Sequence, residues 1–111
     1  MIVSKKERKE IKSGKSKVYD YPISDDVGVS IQELNGRVPE KGFYKNKISK
    51  EICYVLSGSA KVFINNKESK VEKEYIFVIN PNEKHCIEAK NMKIIVFSIP
   101  DWKEEQCEII D

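Results

Sequence analysis

The stretches EICYVLSG (residues 51–58) and NPNEKH (residues 80–85) decide the fold of this chain. The first is a run of apolar and aromatic residues that ends at Ser57-Gly58, a pattern typical of a β-strand closed by a turn. The second begins with Asn80-Pro81-Asn82, which closes a preceding strand rich in β-branched and aromatic residues, 75–79. The two stretches therefore predict a β-rich core.

Strand and turn signals alternate along the rest of the chain. Val27, Val29 and Ile31 alternate with small or polar residues, which predicts a strand that buries these three side chains. Asn35-Gly36 and Asn65-Asn66 are predicted tight turns. Further strands are predicted at residues 52–56, 61–64, 67–71 and 92–99. Turn signals at this short spacing are typical of an all-β sandwich or barrel.

The composition limits the class of protein. The chain has 111 residues, of which 40% are hydrophobic, and a net charge of +2, so we expect one domain and no dedicated nucleic-acid partner. No apolar run approaches the roughly 20 residues that cross a membrane, and no export signal opens the sequence. The three cysteines are odd in number and widely spaced, which favours reduced thiols. We therefore expect a cytoplasmic protein without a membrane partner.

Residues 27–99 resemble the cupin family. Glu51 and Gly58 have the spacing of the first cupin motif, and the run Tyr54-Val55-Leu56-x-Gly58 is typical of the family. Residues 80–85 resemble the second motif, with Asn82 where a glycine is usual; asparagine can adopt the same left-handed conformation. The resemblance implies an all-β, cupin-like β-barrel, a double-stranded β-helix of the jelly-roll type, with short terminal helical segments.

The two ends of the chain lie outside the predicted barrel. Residues 1–26 are interpreted as an N-terminal arm, with a short helix over 4–12 that Ser4 caps. Cupins of this size usually form dimers, so the resemblance implies a homodimer in which the arm is a candidate for exchange. Residues 100–111 are predicted to form a short helical tail that Asp101 caps, with Trp102 covering the barrel or a partner.

The resemblance also implies a pocket. Glu51 and His85 stand at motif positions that point into the barrel, whereas Tyr44 and Asn46 occupy the positions of the two usual histidines. Strand alternation places Cys53 on the same face as Glu51 and turns Tyr54 away. The predicted ligand-binding pocket therefore consists of Tyr44, Asn46, Glu51, Cys53 and His85. His85 and Glu51 are the candidates for acid–base catalysis.

The family usually binds a transition metal through several imidazoles and a carboxylate. Here only Glu51 and His85 remain as candidate ligands, a set too small for tight binding, so a metal is possible but not favoured. The cofactor is therefore left open.

Three functions remain open on this reasoning. The first is binding of a small polar ligand, a sugar or a carboxylic acid, in the barrel. The second is a metal-independent sugar isomerase or epimerase that uses His85 and Glu51. The third is a metal-dependent enzyme with an incomplete ligand set.

Overall fold

The computed structural model describes residues 1–111, which form nine strands and two 3-10 turns. The turns are Lys5–Glu7 and Glu104–Gln106. The strands are β1 (Lys9–Ser13), β2 (Ser16–Tyr21), β3 (Gly28–Val38), β4 (Phe43–Asn46), β5 (Lys50–Ile64), β6 (Lys67–Glu72), β7 (Ile76–Ile79), β8 (His85–Ile99) and β9 (Cys107–Ile110). All strand pairs are antiparallel. No helix is long or apolar enough to cross a membrane.

The two longest strands, β5 and β8, pair with each other at the centre of the curled sheet. They pair from Lys50 opposite Ile99 to Ile64 opposite His85, with register shifts between Val55 and Ser59. β3 pairs with β8 on both sides of these shifts. On the side of Lys50 and Ile99 the sheet continues from β3 to β2 and β1, and from β5 to β7. On the other side it continues through β6, and through β4 to β9. The shifts therefore divide the two strands between the two walls of the barrel.

Gly58 explains why β5 bends where it does. Its φ is +78°, a left-handed conformation that glycine adopts without steric cost. A Cβ at this position would press on the backbone carbonyl of Asn91 and lie 2.7 Å from Cα of Met92 on β8. Only glycine allows this close approach of β5 to β8.

The core lies between the two walls. Val55, Val62 and Ile94 are almost fully buried and belong to a twelve-residue apolar cluster contributed mainly by β5 and β8. Burying one such side chain stabilises the fold by about 1.5–3 kcal/mol. Cys53 is buried and Tyr54 is half-buried, as the alternation along β5 predicts. This cluster fills the interior of the barrel.

The alternation predicted for the start of β3 places the wrong face of the strand toward the core. Ser30 and Leu34 face the core, whereas Val29 and Ile31 are half-buried on the outer face of the sheet. Val29 lies opposite Tyr21 and Phe97 on neighbouring strands, so apolar side chains cover that face as well. Hydrophobicity alone therefore pointed to the wrong face.

The turn predicted at Asn35-Gly36 is also wrong, because both residues lie within β3. Gly36 has a φ of +75°, and the pairing of β3 with β8 shifts by one residue between Leu34 and Gly36. The glycine therefore produces a β-bulge rather than a hairpin. The other predicted turn is confirmed: Asn65 and Asn66 both have positive φ and join β5 to β6.

The ends of the chain are more extended than predicted. Only Lys5–Glu7 is helical near the N-terminus, and β1 and β2 then form a hairpin that pairs with β3. At the C-terminus the predicted helical tail is reduced to one 3-10 turn, because residues 107–110 pair with β4 as strand β9. Exchange of the N-terminal arm between subunits stays a prediction.

Candidate functional site

The four motif positions Tyr44, Asn46, Glu51 and His85 meet at one end of the barrel. Tyr44 lies opposite His85 in the pairing of β4 with β8, and their ring centroids are 6.0 Å apart. Glu51 begins the inward-facing series of β5, and its Oε1 is 4.0 Å from Nε2 of His85. The structure therefore brings together the residues that the cupin resemblance selected. Cys53, the fifth predicted pocket residue, is buried two positions further along β5.

Glu51 is held by two successive hydrogen bonds. Asn46 Nδ2 donates to Glu51 Oε1 over 2.7 Å. The indole Nε1 of Trp102 donates to Asn46 Oδ1 over 2.9 Å. Asn46 is only 1% exposed, so its amide has little access to alternative partners in water. The orientation of the carboxylate thus depends on a residue in the C-terminal segment.

The tautomer of His85 follows from its other contact. Nδ1 lies 3.0 Å from the backbone carbonyl oxygen of Glu83. A carbonyl can only accept a hydrogen bond, so Nδ1 must carry the hydrogen. Nε2 is then the ring nitrogen that faces Glu51, and it lies 4.0 Å from Oε1 of that carboxyl group. This separation is longer than a hydrogen bond, so the two groups are close neighbours that do not bond directly.

Burial sets the ionisation of the carboxyl and phenol groups. Desolvation raises the pKa of Glu51, while the charge of His85 and the hydrogen bond from Asn46 act in the opposite direction. Desolvation also raises the pKa of Tyr44, and nearby Cys107 and Glu51 add to the effect. The Tyr44 hydroxyl consequently remains a hydrogen-bond donor at neutral pH.

Cys53 is unsuited to nucleophilic chemistry. Burial, followed by the negative charge of Glu51, raises the pKa of its thiol well above the ordinary value. A thiol is a weak nucleophile until it is deprotonated. Cys53 therefore packs beneath the site as a small apolar group.

Two polar atoms of the site have no hydrogen-bond partner in the protein. The Tyr44 hydroxyl and the second carboxylate oxygen of Glu51 form no hydrogen bond, although no fully buried side-chain oxygen or nitrogen lacks a partner. These two oxygens must therefore retain contact with solvent. Two surface grooves, about 470 and 480 Å³ in volume, lie elsewhere and include none of the site residues.

Sequence reasoning missed the polar network that attaches the C-terminal segment. Gln106 Oε1 accepts from the backbone N–H groups of Ile48 and Ser49, and its Nε2 donates to Ser49 Oγ. Ser49 Oγ in turn donates to the carbonyl of Pro100. These bonds join residues more than fifty positions apart, so no local pattern could have revealed them. They hold Trp102 over Asn46.

Solved structures share this architecture, whereas no protein-family model and no curated protein matches the chain. A Streptomyces PAC13 variant with uridine has a TM-score of 0.88 at 14% identity, covering 99% of this chain and 90% of its own. KdgF from Halomonas sp. has a TM-score of 0.76 at 13% identity, covering 92% and 96%. The cupin domain of Schizosaccharomyces pombe Cnp3 has a TM-score of 0.69 at 13% identity, covering 80% and 67%.

The chain has a cupin fold. The cupin fold expected from residues 51–58 and 80–85 is confirmed, including the left-handed conformation of Asn82, whose φ is +66°. Asn82 supplies the conformation that a glycine would supply at this motif position, and its N–H donates to the carbonyl of Asn46. The second motif is thereby tied directly to the site.

The donor set of this site fits a metal ion poorly. No group of three or more histidine, cysteine, aspartate or glutamate side chains is arranged to hold a metal. Glu51 and His85 are the two strong candidate ligands, and Asn46 already uses both ends of its amide on Glu51 and Trp102. Tyr44, protonated at neutral pH, is a weak donor to a cation. No step of a reaction is therefore assigned to a metal.

Proposed function

We propose that this protein binds a small polar ligand, a sugar or a carboxylic acid, at the end of the barrel. The observation that carries the proposal is the proximity of three polar side chains, Tyr44, Glu51 and His85. Nε2 of His85 lies 4.0 Å from Oε1 of Glu51, and the rings of His85 and Tyr44 are 6.0 Å apart. The Tyr44 hydroxyl and the second carboxylate oxygen of Glu51 have no partner in the protein, so hydroxyl or carboxyl groups of a ligand would replace the water that contacts them.

The mixture of donors and acceptors favours ligands that carry hydroxyl groups. Tyr44 can donate, Glu51 can accept, and Nε2 of His85 can do either according to its protonation. A hydroxyl group matches all three, because it both donates and accepts. Pac13, whose fold is similar, is described as a nucleoside dehydratase and has been solved with uridine. That similarity supports a sugar-containing ligand only by analogy of fold.

Trp102 provides the experiment that tests this proposal. It is the only tryptophan of the chain and lies 2.9 Å from Asn46, so its fluorescence reports on the site. We expect a saturable change when the protein is titrated with uridine, monosaccharides and small carboxylic acids. His85→Ala should weaken the affinity at least tenfold, by about 1.4 kcal/mol, through loss of a hydrogen bond to a partly charged group.

The control for this titration is Asn80→Ala, an exposed substitution outside the pocket that should leave the affinity unchanged. Absence of a saturable signal with every compound would contradict the proposed ligand class. Equal affinities of the native protein and His85→Ala would show that ligands bind elsewhere.

A second candidate function is proton transfer on a bound sugar, as in isomerisation or epimerisation. The proximity of Glu51 and His85, 4.0 Å apart, favours it, because one group can remove a proton from carbon while the other returns it. Incubation of candidate sugars with the protein in deuterated water would introduce deuterium at the reacting carbon. Loss of this exchange in His85→Gln, with ligand affinity retained, would favour catalysis over binding alone.

We also infer that the protein forms a homodimer through the outer face of the sheet. Two rows of paired residues cross five strands there, and all ten side chains are apolar or aromatic. They are Tyr21, Val29, Phe97, Ile52 and Val78 in one row, and Tyr19, Ile31, Ile95, Tyr54 and Ile76 in the other. These ten residues form the outer apolar face. Large exposed apolar patches commonly mark protein interfaces.

A cytoplasmic location belongs to the same proposal. Cys53, Cys86 and Cys107 are all free thiols, which persist in a reducing compartment. The near balance of charge, +2 over the chain, still argues against nucleic acid as a partner.

A further inference from the structure

Trp102 controls which way the buried amide of Asn46 points. An indole N–H can only donate a hydrogen bond, so the atom of Asn46 that receives it must be the carbonyl oxygen Oδ1. The amide nitrogen Nδ2 is then directed at Glu51, 2.7 Å away. The two bonds form a chain with one direction, from Trp102 through Asn46 to Glu51.

This direction affects the carboxyl group at the end of the chain. An N–H donor stabilises the ionised carboxylate, whereas a carbonyl oxygen in the same place would stabilise the protonated acid. If Trp102 released Oδ1, the amide could rotate when Glu51 gains a proton and accept a hydrogen bond from it. The indole N–H removes that option.

We propose that Trp102 is a positioning residue that keeps Glu51 a hydrogen-bond acceptor toward the ligand. The indole acts through Asn46 and does not itself have to touch the ligand. This inference deepens the proposed function and rests on it only in taking Glu51 as a group that meets the ligand. It assigns a role to the C-terminal segment, which lies outside both cupin motifs.

Hydrogen bonds fix the chain both before and after Trp102 in the sequence. The carbonyl of Pro100 accepts hydrogen bonds from Ser49 Oγ and Ser98 Oγ at 2.8 and 2.9 Å. Gln106, which is 5% exposed, is bonded to Ser49 on the other side of Trp102. Trp102 itself is 40% exposed, so these flanking bonds place the indole more than its own burial does.

Four titratable groups besides Glu51 belong to this environment. His85 lies 4.0 Å away, and the charge of Glu51 also acts on Tyr44, Cys53 and Cys107. Burial raises the pKa values of the phenol and the two thiols, which favours their neutral forms. The ring resonances of His85 can be followed separately from the carboxyl signal of Glu51.

The test is the titration of Glu51 in the ligand-free protein by carbon NMR of its carboxyl group, with Glu51→Gln used to assign the signal. Trp102→Phe keeps an aromatic ring but removes the N–H. We expect it to raise the midpoint of the Glu51 titration by roughly half to one pH unit, a three- to tenfold change in the protonation constant. An unchanged midpoint would overturn the proposal.

A double-mutant cycle shows whether the effect passes through Asn46. In the Asn46→Ala background, Trp102→Phe should leave the Glu51 midpoint unchanged, because no amide remains to orient. An equal shift in both backgrounds would mean that Trp102 acts by another route, such as altered burial, and would reject the role proposed here.

A chemical replacement protects the test from misfolding of Trp102→Phe. Because the chain has a single tryptophan, 3-benzothienylalanine can replace it, and its sulfur occupies the place of the N–H in a ring of nearly the same shape. The same upward shift is expected. The Glu51 titration is done without ligand, so its outcome is independent of the ligand-binding experiment. An upward shift in a protein that binds none of the tested ligands would uphold the positioning role and refute the proposed function.

Discussion

At the scale of single residues, the cost of ionising Glu51 makes stability depend on pH. Burial raises the pKa of this carboxyl above its ordinary value in the unfolded chain. Between the ordinary value, about 4.3, and the raised value, the folded state binds more protons than the unfolded state. The contribution of Glu51 to stability is therefore present at lower pH and is lost as the pH rises through this window.

Glu51→Gln should remove that dependence, because glutamine can still accept a hydrogen bond from Asn46 but does not ionise. We expect the free energy of unfolding of the variant, relative to the native protein, to increase with pH across the window. The slope cannot exceed about 1.4 kcal/mol per pH unit for one proton. Urea denaturation at several pH values between 4 and 8 measures it.

Glu68→Gln is the matched control, since Glu68 is an exposed carboxylate on β6. It should give a difference that does not vary with pH. If the two variants show the same pH dependence, ionising Glu51 costs the folded protein no free energy. Its surroundings would then be more hydrated than the structure indicates.

At the scale of elements, two glycines with the same backbone conformation separate steric contact from backbone strain. Gly58 and Gly36 have φ values of +78° and +75°. A Cβ on Gly58 would collide with the backbone of β8 at Asn91, whereas a Cβ on Gly36 would meet no atom within 4 Å. The comparison therefore isolates the close approach of β5 to β8 at the bend.

We expect Gly36→Ala to cost about 1–2 kcal/mol, the strain of a left-handed alanine. Gly58→Ala should cost a further 1–3 kcal/mol or more, because rigid backbone must move to admit the methyl group. Thermal or urea denaturation of both variants gives the difference. Equal losses would mean that β5 and β8 separate easily at the bend and that packing there is loose.

The elements also show how far a sequence pattern predicts structure. Asn65-Asn66 formed the predicted turn because both residues tolerate positive φ and the flanking strands pair locally. Asn35-Gly36 carries a similar signal, yet β3 continues through it, because β8 provides hydrogen bonds on both sides of the bulge. Strand β9 was missed because its partner, β4, is about sixty residues away in sequence.

At the scale of the whole molecule, the same limit applies to the site. Tyr44, Asn46, Glu51 and His85 were identified because they occupy motif positions whose spacing can be counted. Trp102 does not occupy a motif position. It reaches the site through strand pairings and hydrogen bonds that exist only in the folded chain. Which face of β3 is buried likewise depends on the neighbouring strands, since both of its faces meet apolar residues.

The outer apolar face leads to the last prediction, which concerns the oligomeric state. Its five strands, spaced about 4.8 Å apart, span about 19 Å between the outermost two. Phe97 lies at the middle strand and is 39% exposed, so a lysine there would reach solvent in a monomer without disturbing the core. In a dimer that buries this face, the same charge would be desolvated without a partner, which costs several kcal/mol.

We therefore expect sedimentation equilibrium to give the mass of two chains for the native protein and of one chain for Phe97→Lys. Ser69→Lys adds the same charge to the exposed strand β6, away from the outer apolar face, and should leave the dimer intact. Circular dichroism of both variants checks that the fold is retained. A native protein that remains monomeric at micromolar concentration would refute the homodimer. A Phe97→Lys protein that stays dimeric would place the interface elsewhere, and exchange of residues 1–26 would be the next arrangement to examine.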